Sequence, residues 1–481
     1  MIRDRYDPVD LFTQIPKLCL QFEPVLSHLD RLLEDDELFG AVKADLARRA
    51  AGSLTRGRGS TPVEVILRML VVRRLYGWSY EETEHFVGDS LVLRQFCRLY
   101  LEPVPDDTTL IRWANLIGPQ TVERLNDRVV ELAKTQKVTR GRKLRVDSTV
   151  VPTTMHHPTD GSLLADGVRV LSRLLRRAQG IIGTGAAVGR ELFRNRTRSA
   201  RQAVRQLHRW ARQRRESTKP HPGKGAAQRA AAAKEAMKAA YERLLGIVQR
   251  SQRQAQRASA LLRTAGGEGA KRLVKQFEAL LPQVARVMSQ ARRRVIEGVA
   301  VPAKEKLVSL FAPHTQIIKR GKPGRDVEFG RKVWLDEVEG GIISRYEVLA
   351  EPGPDSAYLK GSLTGHRERF GKAPELLTAD RGVSSPENER LAKEAGVKRV
   401  VIPYAGKAPP ERLAQERERW FRRGYRFRAG IEGRISVLKR RYGLGRCRDH
   451  GEDGLSRWVG WGIVTANLVQ IAQAQAARQT A

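Results

Sequence analysis

Residues 163–299 constrain this chain more than any other stretch. They read as helix almost throughout, yet strand signals stand on both sides of them. Any sheet must therefore be assembled from segments distant in sequence. On the near side, Leu144-Arg145-Val146-Asp147-Ser148-Thr149-Val150-Val151 alternates and is rich in β-branched residues, the signature of a strand. On the far side, 327–335 and 342–349 flank Glu339-Gly340-Gly341, which reads as a β-hairpin. Leu376-Leu377-Thr378-Ala379-Asp380 reads as a short buried strand. A helix starts at Ser385-Pro386 and runs to about residue 395, and 397–403 is a further strand, so this strand–helix–strand run implies a parallel pair. A long helix follows over 420–442, closed by Gly443 and Gly445. A final helix at about 454–476, carrying Trp458, Trp461, Ile463 and Val464, is expected to pack on the sheet. The fold class is α/β: a mixed sheet flanked by helices, with an all-helical region before it and the helical insertion after its first strand.

The insertion carries most of the charge. Over 161–300, 31 Lys and Arg stand against 8 Asp and Glu, a surplus of 23 within a chain whose net charge is +35. A folded chain carries that self-repulsion most easily beside a polyanion, and nucleic acid leads an anionic membrane surface as the candidate. The helical segments of the insertion, separated by loops at 217–224 and 266–267, suit contact with a DNA backbone rather than sequence reading, or contact between subunits. The longest apolar stretch, 458–472, is interrupted by Gly, Thr, Asn and Gln and is shorter than the roughly 20 residues a membrane span needs. Cys19, Cys97 and Cys447 form no metal-ligand spacing and imply no disulfide framework. The N-terminus shows no apolar leader, so the expected location is the cytoplasm, with the nucleoid.

Residues 1–135 read as helices. Leu26, Leu29, Leu32 and Leu33 suit an amphipathic helix. Thr61-Pro62-Val63-Glu64 and Ser79-Tyr80-Glu81-Glu82 read as capping boxes. Asp107 is placed to cap a helix beginning at Thr108, with Thr109 and Arg112 near its start. Short helices joined by tight turns over 61–116 are consistent with a helix-turn-helix reader in which Thr108 and Arg112 meet DNA; a plain helical bundle is the alternative.

Three carboxylates carry the chemistry. Asp147 lies mid-strand, where Asp is disfavoured. Asp380 ends the second short strand, and Glu432 lies on the long helix. At about 100° per residue, Tyr425, Arg428, Glu432 and Lys439 fall within about 60° of one another on that helix. Two aspartates from strands and a glutamate from a helix can hold two Mg²⁺ or Mn²⁺ ions about 3.5–4 Å apart for phosphodiester chemistry. Arg428 and Lys439 would hold phosphates, and Tyr425 would donate to a phosphate oxygen or stack on a base. His156 and His157 point opposite ways on an extended chain and make a poor chelating pair.

Tyr425-x2-Arg428-x3-Glu432-x6-Lys439, after RVDSTVV and LLTADRG, resembles the Tyr-Arg-Glu-Lys signature of the DDE transposases of bacterial insertion sequences, whose catalytic core is RNase H-like. The stretch VVIPY before the helix also fits. The resemblance implies that Asp147, Asp380 and Glu432 are the catalytic, metal-binding triad, and that Tyr425, Arg428 and Lys439 contact the transposon end. It implies a helical DNA-binding region at 1–135, a core at 140–162 and 300–445, and a C-terminal helix at 446–481 packing on that core. The implied activity is binding of terminal inverted repeats, metal-dependent cleavage and strand transfer. Its partners would be double-stranded DNA, as transposon ends and target, and further copies of the chain, as a homodimer or higher homo-oligomer. A nuclease without strand transfer, or a non-enzymatic basic DNA-binding protein, is the alternative. The basic insertion at 163–299 departs from the better-known relatives, where an insertion precedes the glutamate helix and is largely β.

Overall fold

The computed structural model describes residues 1–6, 22–50, 52–56, 59–183, 190–217, 225–322, 325–351 and 353–479. Cys19 and nearly all of the loop expected at 217–224 lie outside them. The chain divides into two compact units: Met1–Thr154 with Arg320–Ala481, and Met155–Lys319. The insertion expected at 163–299 lies inside the second.

The first unit is built on a six-stranded sheet. Its strands are β1 (Lys143–Pro152), β2 (Gln316–Lys322, where the chain re-enters this unit), β3 (Arg325–Val338), β4 (Ile342–Val348), β5 (Leu376–Thr378) and β6 (Arg399–Val401). They lie in the order β2-β3-β1-β5-β6, with β4 also paired to β3. β1 runs antiparallel to β3 with Asp147 opposite Leu335, and parallel to β5 with Lys143 opposite Leu376. β5 and β6 are parallel, as the helix between them dictates. The β3–β4 hairpin turns through Gly340 and Gly341, both with positive φ. A Cβ on Gly340 would come 2.4 Å from the Val138 carbonyl oxygen, so glycine is required twice over. Beside the turn, the Glu339 carboxylate accepts the backbone N–H groups of Arg140, Arg142 and Lys143 at 2.8–3.0 Å. That fixes the entry of β1 against the hairpin.

Among the described residues, seven helices precede the sheet: α1 (Pro24–Leu32), α2 (Asp36–Ala47), α3 (Val63–Tyr76), α4 (Tyr80–Asp89), α5 (Leu91–Phe96), α6 (Asp107–Leu116) and α7 (Pro119–Thr135). The Ser79 capping box forms, with Ser79 N–H donating to Glu82 Oε2 and Glu82 N–H to Ser79 Oγ. The one expected at Thr61 does not: Pro62 is the N-cap and no side chain caps the helix. The N-terminal segment satisfies that end instead, because Val63 and Glu64 donate to the carbonyls of Arg3 and Asp4. Glu64 is buried against Arg68, whose fully buried guanidinium also reaches Asp30 at 2.6 Å. The cap of α6 is Asp106 rather than Asp107.

Beyond β4 come α12 (Leu359–Phe370), α13 (Pro386–Glu394), α14 (Pro410–Arg417), α15 (Arg419–Arg441) and α16 (Gly451–Gln479), with α8–α11 belonging to the second unit. α16 is buried on nearly every side, from Leu455 to Ala472, between α1, α3, α7 and β4. A helix apolar all round belongs to a core, and among the described residues no helix is long and apolar enough to cross a membrane. Cys97 and Cys447 are buried free thiols, and burial pushes both pKa values up to about 12.

The second unit is helical: α8 (Asp160–Ile182), α9 (Thr197–Ser217), α10 (Ala226–Ala265) and α11 (Gly267–Ala291), joined to the sheet-bearing unit at both ends. Leu164, Val168, Leu171, Leu244, Val248 and Phe277 sit in its own core. Apolar residues at helical spacing face inwards, which leaves the arginines outside.

Helix α15 lies on β1, β5 and β6. It buries Phe421, Ile431 and Leu438, and it comes closest at Gly424, where a Cβ would stand 2.6 Å from Val401 Cγ2. Gly424→Ala is therefore expected to cost about 1–3 kcal/mol through overpacking. Val401→Ala in the same chain should recover part of it. Thermal melts of the single and double variants check this, and strictly additive losses would contradict it.

Candidate active site

The sheet register brings the first two carboxylates together. Asp147 lies in β1 and Asp380 two residues past the end of β5, on the neighbouring parallel strand. Asp380 leaves the strand as the N-cap of a short 3₁₀ turn, and its Oδ1 accepts the Gly382 N–H at 2.9 Å. Asp147 Oδ1 accepts the Ser148 N–H at 2.7 Å. The Asp147 side chain is largely buried. Burial pushes its pKa up to about 6, and the Asp380 and Asp355 carboxylates add to the rise; the Ser148 amide and Arg428 oppose it.

Asp355 has no counterpart in the sequence reading. It begins a 3₁₀ turn ahead of α12 and reaches the same place. Ser148 Oγ donates to its Oδ2 at 3.3 Å, and Lys332 Nζ lies 2.6 Å from Oδ1. A Cβ on Gly382 would meet Asp380 and Asp355 carboxylate oxygens at 3.2 and 3.6 Å, so the two acids share one small space. Only an alternation-breaking Gly-Pro-Asp before a helix marks Asp355 in the sequence, and any surface turn looks the same.

Glu432 reaches this group through Arg428. Arg428 Nη1 donates to Glu432 Oε1 at 2.7 Å, one helical turn on, and Nη2 lies 3.4 Å from Asp147 Oδ2. The Arg428 side chain is 13% exposed, while that of Glu432 is 66% exposed. The guanidinium of Arg428, expected from the sequence to hold phosphates, here bridges two of the three acids. The i,i+4 spacing and the low local dielectric favour that pairing. Among the described residues no three His, Cys, Asp or Glu side chains are spaced to hold one metal ion. The donor chemistry nonetheless suits a hard divalent cation: carboxylate oxygens gather around the largely buried Asp147, whose proton affinity Asp380 and Asp355 raise.

Tyr425 is 45% exposed on the outer side of α15, and Lys439 is half-buried near its end. Thr108 and Arg112 lie exposed on α6, away in sequence from the carboxylates. The Thr108 hydroxyl donates to Asp106, whose carboxyl is held down to about 2 chiefly by that bond and by those from Thr109. Thr108 therefore serves the helix cap here, while Arg112 makes no ion pair among the described residues.

α15 is held in place by a buried acid. Glu337 on β3, wholly inaccessible, receives Arg145 of β1 in a bidentate pair at 2.6 and 2.7 Å, and Arg434 of α15 lies 3.4 Å away. Arg145 also donates to the Phe427 carbonyl at 2.6 Å and stacks over that ring. These contacts set the height of Glu432 over the sheet.

Comparison with known proteins agrees with a transposase. Residues 19–116 match a family model described as "Transposase domain (DUF772)". A Rhizobium meliloti protein described as "Uncharacterized protein ORF8 in nfe locus" is 27% identical over 161 residues, 32% of this chain and 73% of that protein. No solved structure matches the chain. The family match falls on α1–α6 and supports a transposase in general terms.

Asp147 gives a stability test. Its pKa is raised in the folded state, so the group favours folding below the unfolded value near 4 and loses that contribution as pH rises through about 6. Asp147→Asn removes the buried ionised form. It is expected to stabilise the metal-free protein by about 2–3 kcal/mol at pH 7.5, with most of the gain gone at pH 4. Chemical denaturation at the two pH values reads this directly, and equal stability of variant and wild type at pH 7.5 would refute it.

Proposed function

We propose that this chain is a DDE-type transposase whose active site is Asp147, Asp380 and Glu432. The observation that carries the reading is the meeting of Asp147 and Asp380 on adjacent parallel strands, with Glu432 tied to Asp147 through Arg428 from a helix laid across them. The strand order supports an RNase H-like core: β4-β3-β1-β5-β6 with β3 antiparallel, helices on the faces, and acids from the central strand, its parallel neighbour and the last core helix. The transposase-domain match supports the same class.

In this reading Asp147, Asp380 and Glu432 would hold divalent ions, Mg²⁺ or Mn²⁺, with Asp355 steadying the group through Ser148 and Lys332. Such ions supply an activated oxygen nucleophile and stabilise the departing oxygen at phosphorus. The chain's own residues do the rest. The burial that raises the Asp147 pKa keeps water from screening that carboxylate. Arg428 is paired with Asp147 and Glu432, and a DNA phosphate would compete for the same guanidinium. Tyr425 and Lys439, on the same helix, supply further phosphate contacts. Hydrolysis of the phosphodiester at the element's end frees a 3′-hydroxyl. That hydroxyl then attacks a target phosphodiester, one P–O bond forming as another breaks. Two ends must be held for joining, so the active species is a homo-oligomer on double-stranded DNA.

The test is incubation of the protein with labelled duplex carrying its own flanking inverted repeats, with Mg²⁺ or with EDTA. Nicking at the repeat boundary is expected with Mg²⁺ alone. Asp147→Asn, Asp380→Asn and Glu432→Gln should each lower it by about 100-fold or more while keeping DNA affinity. Retained metal-dependent nicking in all three would sink the assignment. Asp355→Asn is expected to fall between, with a loss of about 10–100-fold, measured in the same assay.

A further inference from the structure

The helical unit carries a site that the catalytic reading does not use. Helices α8 and α9 enclose a cleft of about 1170 Å³. Arg169, Arg173 and Arg176 line it from α8, and Arg198, Arg201 and Arg205 line it from α9. The spacings are i, i+4, i+7 on one helix and i, i+3, i+7 on the other, so each row occupies one helical face over about 10 Å. Arg169 is paired with Asp166 at 2.8 Å. The other five make no ion pair among the described residues, and all five are exposed.

Five guanidinium groups without an ion-pair partner among the described residues line one space and repel one another. Core packing does not require them there either, since the buried faces of α8 and α9 are Leu, Val and Ala. A second observation points into the cleft. Ser172 lines it, is only 7% exposed, and its Oγ has no hydrogen-bond partner among the described residues. A buried hydroxyl without a partner is costly unless a ligand or water completes it. The cleft mouth also holds the start of α9, where Asn195 caps Thr197 N–H at 2.9 Å and where a helix dipole favours anions.

We infer that this cleft binds the phosphodiester backbone of duplex DNA, without reading its sequence. The lining supplies planar guanidinium forks, suited to bidentate phosphate contact. It includes no aromatic ring on which an unpaired base would stack. With one phosphate on each strand per about 3.4 Å of helix axis, a row of about 10 Å laid along that axis spans about three phosphates. The inference rests on the DNA reading above but not on the carboxylates. It gives the basic unit a definite role, the holding of flanking or target DNA at any sequence.

The experiment is fluorescence anisotropy of the full chain with a labelled 30-base-pair duplex of arbitrary sequence across a salt series. Three forms are compared: wild type, Arg173→Ala/Arg176→Ala/Arg201→Ala, and a charge-matched control, Arg253→Ala/Arg257→Ala/Arg272→Ala, whose exposed arginines lie outside the cleft. The cleft variant is expected to bind about tenfold or more weaker at moderate salt. Its log K against log salt should be shallower by about 2.7, at about 0.9 for each phosphate no longer neutralised, for every duplex sequence tried. The control should stay near wild type, and lysines at the three cleft positions should restore most of the slope. Equal losses in cleft and control variants, or no loss in the cleft variant, would overturn the inference. So would a loss confined to phosphatidylserine vesicles. Normal salt-dependent binding by a wild-type chain that never nicks DNA would overturn the catalytic proposal and leave this one standing.

Discussion

Much of the sheet-bearing unit depends on one buried carboxylate. Glu337 sits on β3 with no solvent access, and Arg145 and Arg434 converge on it from β1 and α15. An isolated charge there would be prohibitive; paired in this way it links three elements by groups that cannot be exchanged for water. Loss of one partner of a buried pair typically costs about 3–5 kcal/mol, because the remaining charge is stranded. The same Arg145 binds the Phe427 carbonyl, so the tie fixes the helix backbone as well as its side chains. Gly424 lets the helix sink onto Val401 at one end, and the Glu337 cluster holds it further along. Between these anchors the helix carries Arg428 and Glu432.

That arrangement explains what the sequence discloses. β1 is legible because its β-branched alternation leaves Asp147 as an anomaly, and the hairpin is legible from Glu-Gly-Gly between two apolar runs. The periodicity of α15 brings Arg428 and Glu432 onto one face without any structure. Less can be read where partners come from far away in the chain. β5 and β6 are found where strands are expected, but the expected 376–380 and 397–403 contract to Leu376–Thr378 and Arg399–Val401, because pattern alone does not set where such short strands end. Asp355 joins the site only because its turn is folded against the 3₁₀ turn after Asp380. Thr61 has the right spacing to Glu64 for a cap, but Glu64 is taken by Arg68 and the helix end by the carbonyls of Arg3 and Asp4. Local pattern proposes a partner; burial decides which partner is used.

The two units handle charge in opposite ways. In the sheet-bearing unit arginines are drawn inside: Arg68 against Asp30 and Glu64, Arg74 stacked 3.5 Å from the Trp458 ring, Arg145 on Glu337. For Arg74 burial and the neighbouring Arg73 pull the pKa down to about 9. In the helical unit most arginines stay outside a core of Leu, Val, Ala, Ile and Phe, and acids are few. Interior cations there would gain no partners, so the surplus is left facing solvent, where a polyanion can neutralise it.

The position of α16 has a consequence for how the protein is made. Leu29 and Leu32 of α1, Val129 of α7 and Trp458, Val464 and Leu468 of α16 belong to one hydrophobic core. Asn467 completes it with hydrogen bonds to Asn126 and to the backbone of Ile343. The helices translated first therefore cannot close until residues 451–479 have left the ribosome. At typical elongation rates, that leaves an apolar face waiting for roughly 20–70 s after α7 emerges. During that interval the amino-terminal core lacks one of its central helices, so chaperone demand is expected to fall on the first 135 residues.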